Sequence, residues 1–268
     1  RQLLDEFRLI EITDLSEMDL FHKTDVYPIV LIYAKGAPEK THSLVTKMSI
    51  RNYSQMYSKE TGILLPQRVY KRLGERATFF CLPPDDSYLD LFTRLFEEGE
   101  PLYEYLIFRS TVSFHRKGLR EQFVKQEFDK ADDKLIRPYL GGISYAKRNE
   151  VGKYTIDWRG YYINYDETGL KAIGNSLPPL SNFERPKIIF CQHAREITAT
   201  LDKHGKWVTK DVYPIAFEGN RLKDSTHFSL RYFTGLLNSK LYSFIYGIIY
   251  KGIQISAGYY HYLPTWID

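Results

Sequence analysis

The spacing of apolar positions changes along this chain, and the change divides it. RQLLDEF (1–7) reads as the end of a helix, while residues 8–13 and 27–33 (YPIVLIY) read as strands, the second closed by Lys35-Gly36-Ala37-Pro38. About thirteen residues join the two strands, so together they predict a hairpin. Residues 44–57 fit a helix or a strand equally. Residues 77–82 (ATFFCL) predict a buried strand stopped by Pro83-Pro84. Asp85-Asp86-Ser87 then supply an N-cap for a helix through about residue 98, with Leu89, Phe92, Leu95 and Phe96 on one apolar face.

From residue 105 onward strands dominate, punctuated by Gly118, Gly141-Gly142, Gly152, Gly160 and Gly169. A loop rich in Asn, Ser and Pro covers 174–186. Residues 187–201 and 207–217 predict a hairpin turned by Asp202-Lys203-His204-Gly205-Lys206. Leu230, Phe233, Leu237, Leu241 and Phe244 recur at three- and four-residue spacing, which predicts one long helix over 228–251 that packs on the preceding sheet as a scaffold. The expected fold class is α+β.

Composition adds a charge asymmetry to this pattern. Net charge is +4, but residues 1–104 carry 13 Lys/Arg against 17 Asp/Glu and residues 105–268 carry 24 against 16. The positive excess therefore lies in the strand-rich part, where a polyanion would need it. A hydrophobic content of 43% in 268 residues supports a real core, in one large domain or two small ones. Cys81 and Cys191 stand far apart and outside any CxxC pattern, so neither a disulfide framework nor a zinc site is expected, and both read as buried thiols in a reducing compartment. The apolar run 241–250 is too short for a membrane span of about twenty residues, and no signal-peptide pattern opens the chain. A soluble, cytoplasmic protein is expected. The chain starts at Arg1 inside what reads as a helix, which suggests a piece of a longer polypeptide.

The interval 136–166, IRPYLGGISYAKRNEVGKYTIDWRGYYINYD, is the densest in chemistry. Arg137, Lys147, Arg148, Lys153 and Arg159 alternate with Tyr139, Tyr145, Tyr154, Trp158, Tyr161, Tyr162 and Tyr165. Two readings share it. Cations attract phosphate and rings pack on sugars or bases, which makes a polyanion surface; equally, a Tyr-rich sheet core with a solvated charged face has this composition. Trp158 in particular fits a core position that holds the preceding turn.

The run Arg137-Pro138-Tyr139-Leu140-Gly141-Gly142, the Tyr-x-Ile-Asp-Trp-x-Gly block at 154–160 and Tyr162-Ile163-Asn164-Tyr165 resemble the TaqI-like C-terminal specificity domain. Further landmarks follow in order: Arg185-Pro186-Lys187-Ile188-Ile189, the segment DKHGKWVTKD at 202–211, Gly235-Leu236-Leu237-Asn238-Ser239-Lys240-Leu241, and Tyr262-Leu263-Pro264. The resemblance implies the target-recognition module of an adenine-specific DNA methyltransferase, including fused type IIG restriction-modification enzymes of prokaryotes. Residues 1–37 in turn resemble the last two strands of such a catalytic domain. The implied organisation is a terminal methyltransferase hairpin (1–37), a connecting segment (38–104) and a mostly β recognition domain (105–268). In that family an aromatic residue between these strands stacks on the flipped adenine, and Phe21 sits at the matching place. A ring there offsets part of the unstacking cost of a few kcal/mol; a Phe that plugs the base of the hairpin is the alternative.

The implied partners are double-stranded DNA and an N-terminal catalytic domain of the same polypeptide, with S-adenosylmethionine as the cofactor of the parent enzyme and no cofactor or metal in this piece. The Gly-rich turn for that cofactor and the Asn/Asp-Pro-Pro-aromatic tetrad are absent, since the Pro-Pro pairs at 83–84 and 178–179 lack both flanking groups. The expected DNA-binding residues are Tyr145, Lys147, Arg148, Lys153 and Arg159 for position and Lys203, His204 and Lys206 at a turn that reaches a groove. Gln192, His193 and Arg195 are the expected base readers. A rival reading is a metal-dependent nuclease built on Asp85, Asp132 and Lys134, after the Pro-Asp and Asp-Asp-Lys signatures. A carbohydrate-binding module, suggested by 22 tyrosines, is a third.

Overall fold

The structure, a computed structural model, describes residues 2–18, 20–21, 28–48, 50–71, 89–114, 118–128, 135–142, 149–172, 177–192, 194, 196–249 and 263–265. The chain divides into two compact units, one made of Arg1–Pro101, Ile248–Lys251 and Pro264–Asp268, the other of Leu102–Gly247 and Gly252–Leu263.

In the first unit, α1 (Gln2–Glu6) leads into β1 (Phe7–Asp14), which pairs antiparallel with β2 (Ile29–Lys35). The hairpin expected from the apolar pattern is present. β1 also pairs in parallel with β3 (Ser43–Lys47), and β3 pairs antiparallel with β4 (Gly62–Pro66), giving a four-stranded sheet in the order β2-β1-β3-β4. The ambiguous stretch 44–57 is both things in turn, since β3 is followed by α2 (Tyr53–Tyr57), capped by the Asn52 side chain. After α3 (Arg68–Lys71), α4 (Leu89–Glu98) confirms the helix expected there, with Leu95 buried. β5 (Glu100–Pro101) pairs antiparallel with Pro264–Thr265. The strand expected at 77–82 lies outside the described residues.

β1 carries a bulge between Leu9 and Glu11, where the ladder skips Ile10. A bulge leaves main-chain groups unpaired. Here the buried Gln67 accepts from the Leu9 N–H at 2.9 Å and donates to the Phe7 carbonyl at 2.9 Å, while His42 Nε2 lies 2.8 Å from the Leu9 carbonyl. Two polar side chains thus do what the neighbouring strand cannot.

The second unit contains two four-stranded sheets. In one, β6 (Leu106–Arg109), β12 (Lys187–Phe190), β13 (Ala199–Asp202) and β15 (Ile215–Glu218) lie in the order β13-β12-β15-β6, all antiparallel. In the other, β7 (Val124–Lys125), β8 (Ile136–Leu140), β11 (Tyr162–Asn164) and β14 (Val208–Thr209) lie in the order β14-β8-β11-β7, with β14 parallel to β8. A small hairpin of β9 (Val151–Gly152) and β10 (Thr155–Ile156) and the helices α5 (Leu119–Phe123) and α6 (Glu167–Ala172) fill the connections. Ile189, Ile215 and Phe217 from the first sheet and Val124, Tyr139, Ile163 and Val208 from the second belong to one buried core.

Two expectations are corrected here. The segments 187–201 and 207–217 do pair antiparallel, through Ile188–Ala216 and Ile189–Ile215, but 202–206 is not the turn of a simple hairpin: β12 also pairs with β13, and the turn carries the chain from β13 into β14 of the other sheet. A polar turn with apolar residues on both sides looks the same whether the chain returns to its own sheet or enters another, so the pattern gave no sign of the change of sheet. The long helix over 228–251 is two helices, α8 (Leu230–Leu237) and α9 (Lys240–Ile249), with the short α7 (Asn220–Lys223) before them. The break is set by Asn238, whose Oδ1 accepts from the Ala199 N–H at 2.9 Å and whose Nδ2 donates to the Ala199 carbonyl at 2.8 Å. Ser239 then caps the next helix through the Tyr242 N–H. α8 does pack on β12 and β13, as expected of a scaffold.

Candidate nucleic-acid interface

The outer face of the β14-β8-β11-β7 sheet gathers aromatic and cationic side chains. Lys125 stands opposite Tyr162, and Tyr162 opposite Pro138. The Val208–Tyr139 register places Trp207 level with Pro138. Because strand side chains alternate, Lys125, Tyr162, Pro138 and Trp207 share one face, and Val124, Ile163, Tyr139 and Val208 occupy the other, where all four are buried.

Trp158 lies on that outer face. Its ring meets Tyr162 edge-on at 5.0 Å and Trp207 at 5.5 Å, and its Nε1 donates to the Tyr161 carbonyl at 2.9 Å. The structure thus gives Trp158 a packing role, and both Trp158 and Trp207 are half-buried against the core. Lys206 Nζ stands 4.7 Å from the centroid of Trp207 and 6.0 Å from that of Trp158, which places an exposed cation over the aromatic row.

The turn that carries Lys206 is built around one carboxylate. Asp202 accepts from the N–H groups of His204 at 3.3 Å, Lys206 at 3.1 Å and Trp207 at 2.9 Å. Gly205 takes a positive φ of 63°, and a Cβ there would fall 2.2 Å from the Glu184 carbonyl carbon. The turn therefore rests on the backbone of Glu184 and Arg185 and leaves Lys203, His204 and Lys206 exposed.

A second buried carboxylate ties the chain at Gly141 to that at Glu150. Glu150 is fully buried; its Oε2 accepts from the Gly141 N–H at 2.6 Å, and its own N–H donates to the Tyr213 hydroxyl at 2.8 Å. Burial pushes the Glu150 carboxyl above its ordinary pKa, against the opposing pull of the Gly141 amide and the charge of Arg159. Burial likewise raises the Tyr213 hydroxyl.

The expected site residues are distributed as follows. Lys203, His204 and Lys206 sit together on the turn. Lys153 is on the β9–β10 turn, paired with Glu196 at 2.6 Å, and Arg159 is paired with Asp157. These pairs are solvent-accessible and of the weak surface kind, so a stronger anion can replace the carboxylate. Gln192, half-buried two residues beyond β12, donates its N–H to the Val212 carbonyl at 2.9 Å. Phe21 belongs to the first unit, in the connection after β1, and is 56% exposed. Tyr145, Lys147, Arg148, His193 and Arg195 lie outside the described residues, as do Asp85, Asp132 and Lys134 of the nuclease reading. Trp207 and Lys125 were not expected at the site; a tryptophan directly after a Lys-rich turn was the available signal.

Among the described residues no group of three or more His, Cys, Asp or Glu is placed to hold a metal ion, and no helix is long and apolar enough to cross a membrane. No curated protein matches the chain. Residues 144–265, somewhat under half of the chain, match the TaqI-like C-terminal specificity domain family, so that this stretch is similar to the recognition domain of restriction-modification enzymes.

Proposed function

We propose that this chain is the specificity portion of an N6-adenine DNA methyltransferase or of a fused type IIG restriction-modification enzyme, and that it reads duplex DNA sequence for a catalytic centre located elsewhere in the parent polypeptide. The match of residues 144–265 to a specificity domain carries this reading. The exposed cations of the 203–206 turn beside the Trp207–Trp158–Tyr162 row support it, because phosphate contacts fix register and orientation. Lys153 and Arg159 position the duplex in the same way. Gln192, with His193 and Arg195, discriminates bases through paired donors and acceptors.

Phe21 is the proposed stacking partner of a flipped adenine, on the sequence resemblance of residues 1–37 to a methyltransferase hairpin and on its exposure. This chain lacks the Gly-rich turn and the Asn/Asp-Pro-Pro-aromatic tetrad. Methyl transfer from S-adenosylmethionine is therefore assigned to the rest of the parent, and this piece methylates nothing alone.

A gel shift with duplex DNA over a salt series tests the reading. The expected result is a shift that weakens steadily as salt rises, with no cleavage when magnesium is added. No shift at low salt contradicts it; magnesium-dependent cutting that Asp132→Ala abolishes favours a nuclease instead.

A further inference from the structure

Arg185 and Arg109 are two exposed cations of the second unit with no place yet in the proposed interface. The Arg185 guanidinium carbon lies 3.6 Å from the centroid of the Phe217 ring. Phe217 is itself buried, so the stack fixes the plane of the guanidinium on a rigid support. On the same strand, Ile215 stands opposite Arg109 of β6, and Phe217 opposite Ile107. Alternation puts Phe217, Ile215, Ile107 and Arg109 on one face, and Arg185 stacks on that face at Phe217, so the two arginines share it. Their charges interact: partial desolvation, and after it the charge of Arg109, lower the pKa of Arg185.

Like charges held together in a protein are ordinarily separated by a carboxylate. The nearest one in sequence, Glu184, is engaged by Arg137 at 3.0 Å. Among the described residues Arg109 donates to the adjacent Phe108 carbonyl, at 3.2 Å, and neither Arg109 nor Arg185 forms an ion pair. The Gly205 turn presses on the backbone that leads into Arg185, so the 203–206 turn adjoins the chain there. Two cations that share a face, without a carboxylate partner among the described residues and with one fork already oriented, suit a tetrahedral oxyanion that accepts several hydrogen bonds at once.

We infer that Arg109 and Arg185 together seat one backbone phosphate of duplex DNA, beside the 203–206 turn. The inference rests on the DNA-recognition reading and adds to it a phosphate site that carries no sequence information.

Fluorescence anisotropy with one duplex of arbitrary sequence, titrated at several salt concentrations between about 50 and 200 mM, tests it. Arg109→Gln and Arg185→Gln should each reduce the steepness of log K against log salt by about 0.9, and the double variant by about the same single amount, since one phosphate is lost in every case. Lys171→Gln, which removes an exposed charge on α6, should leave the slope unchanged. Unchanged slopes in both arginine variants, with wild-type binding intact, overturn the phosphate seat alone, as does an equal change in Lys171→Gln. Failure of the wild-type chain to bind any duplex overturns the recognition reading itself. Arg109 is not part of the Phe217 stack, so Arg109→Gln decides the matter if Arg185→Gln does not fold.

Discussion

Lys187 and Asp202 form an ion pair sealed from solvent, with Nζ 2.5 Å from Oδ2 and side chains 0% and 3% exposed. They are cross-strand partners on β12 and β13. Lys187 Nζ also donates to the Phe183 carbonyl at 2.7 Å, so one ammonium ties the strand pair to the segment before β12. Burial lowers the Lys187 pKa, and Asp202 works against that shift. Asp202→Ala strips the ammonium of its counterion and the 203–207 turn of its acceptor; a loss of about 3–5 kcal/mol in urea-unfolding free energy is expected. A loss below about 1 kcal/mol contradicts the assignment.

Gly205 and Gly160 both hold positive φ, 63° and 79°, but only Gly205 is crowded: nothing lies within 4 Å of a Cβ at Gly160. Gly160→Ala should cost only the backbone strain, about 1 kcal/mol. Gly205→Ala adds a collision with the Glu184–Arg185 backbone and should cost clearly more, and it should also weaken DNA binding by displacing Lys206. Equal stabilities of the two variants in denaturant unfolding argue against the turn resting on that segment.

The buried Glu150 gives stability a definite pH dependence. Its folded-state pKa is raised above the unfolded value, so the folded form binds the proton more tightly, and its contribution is full below the unfolded pKa and declines as pH rises through the folded one. Glu150→Gln keeps an acceptor for the Gly141 N–H without the ionisation. Relative to wild type the variant should therefore gain stability from pH 4.5 to pH 7, measured by urea unfolding at the two ends. A difference that is flat with pH, or of opposite sign, rules this out.

Gln192 is held at its main chain by Val212 while its side chain remains half-exposed next to the 193–195 segment. Gln192→Ala should leave affinity for arbitrary DNA unchanged and relax preference at one base pair, by about 1–3 kcal/mol. A uniform drop on all sequences would make it a structural or phosphate-contacting residue instead.

Much of the local structure was legible in the sequence. The β1–β2 hairpin, α4 and the strand-rich second half followed from apolar spacing and caps, which are short-range signals. What was not legible depends on distant partners. The Ile10 bulge exists because Gln67 and His42 supply its missing hydrogen bonds. The helix at 228–251 breaks because Asn238 bonds Ala199, although Asn238-Ser239 was itself a readable stop and start signal. The turn at 202–206 was correctly placed but its destination was not, since only the Val208–Tyr139 pairing shows the change of sheet. At the site, the same fact hid Trp207: it joins Trp158 and Tyr162 only once β14 lies beside β8. The cationic turn itself was visible as Lys203-His204-Gly205-Lys206.

Sequence-specific reading of duplex DNA is the central claim, and selection from a randomised duplex pool tests it most directly. Repeated capture by this chain at near-physiological salt should enrich one short motif, and Gln192→Ala should blur a single position of it. A pool that stays random while DNA is still retained contradicts specificity, and a pool from which nothing is retained contradicts DNA recognition altogether.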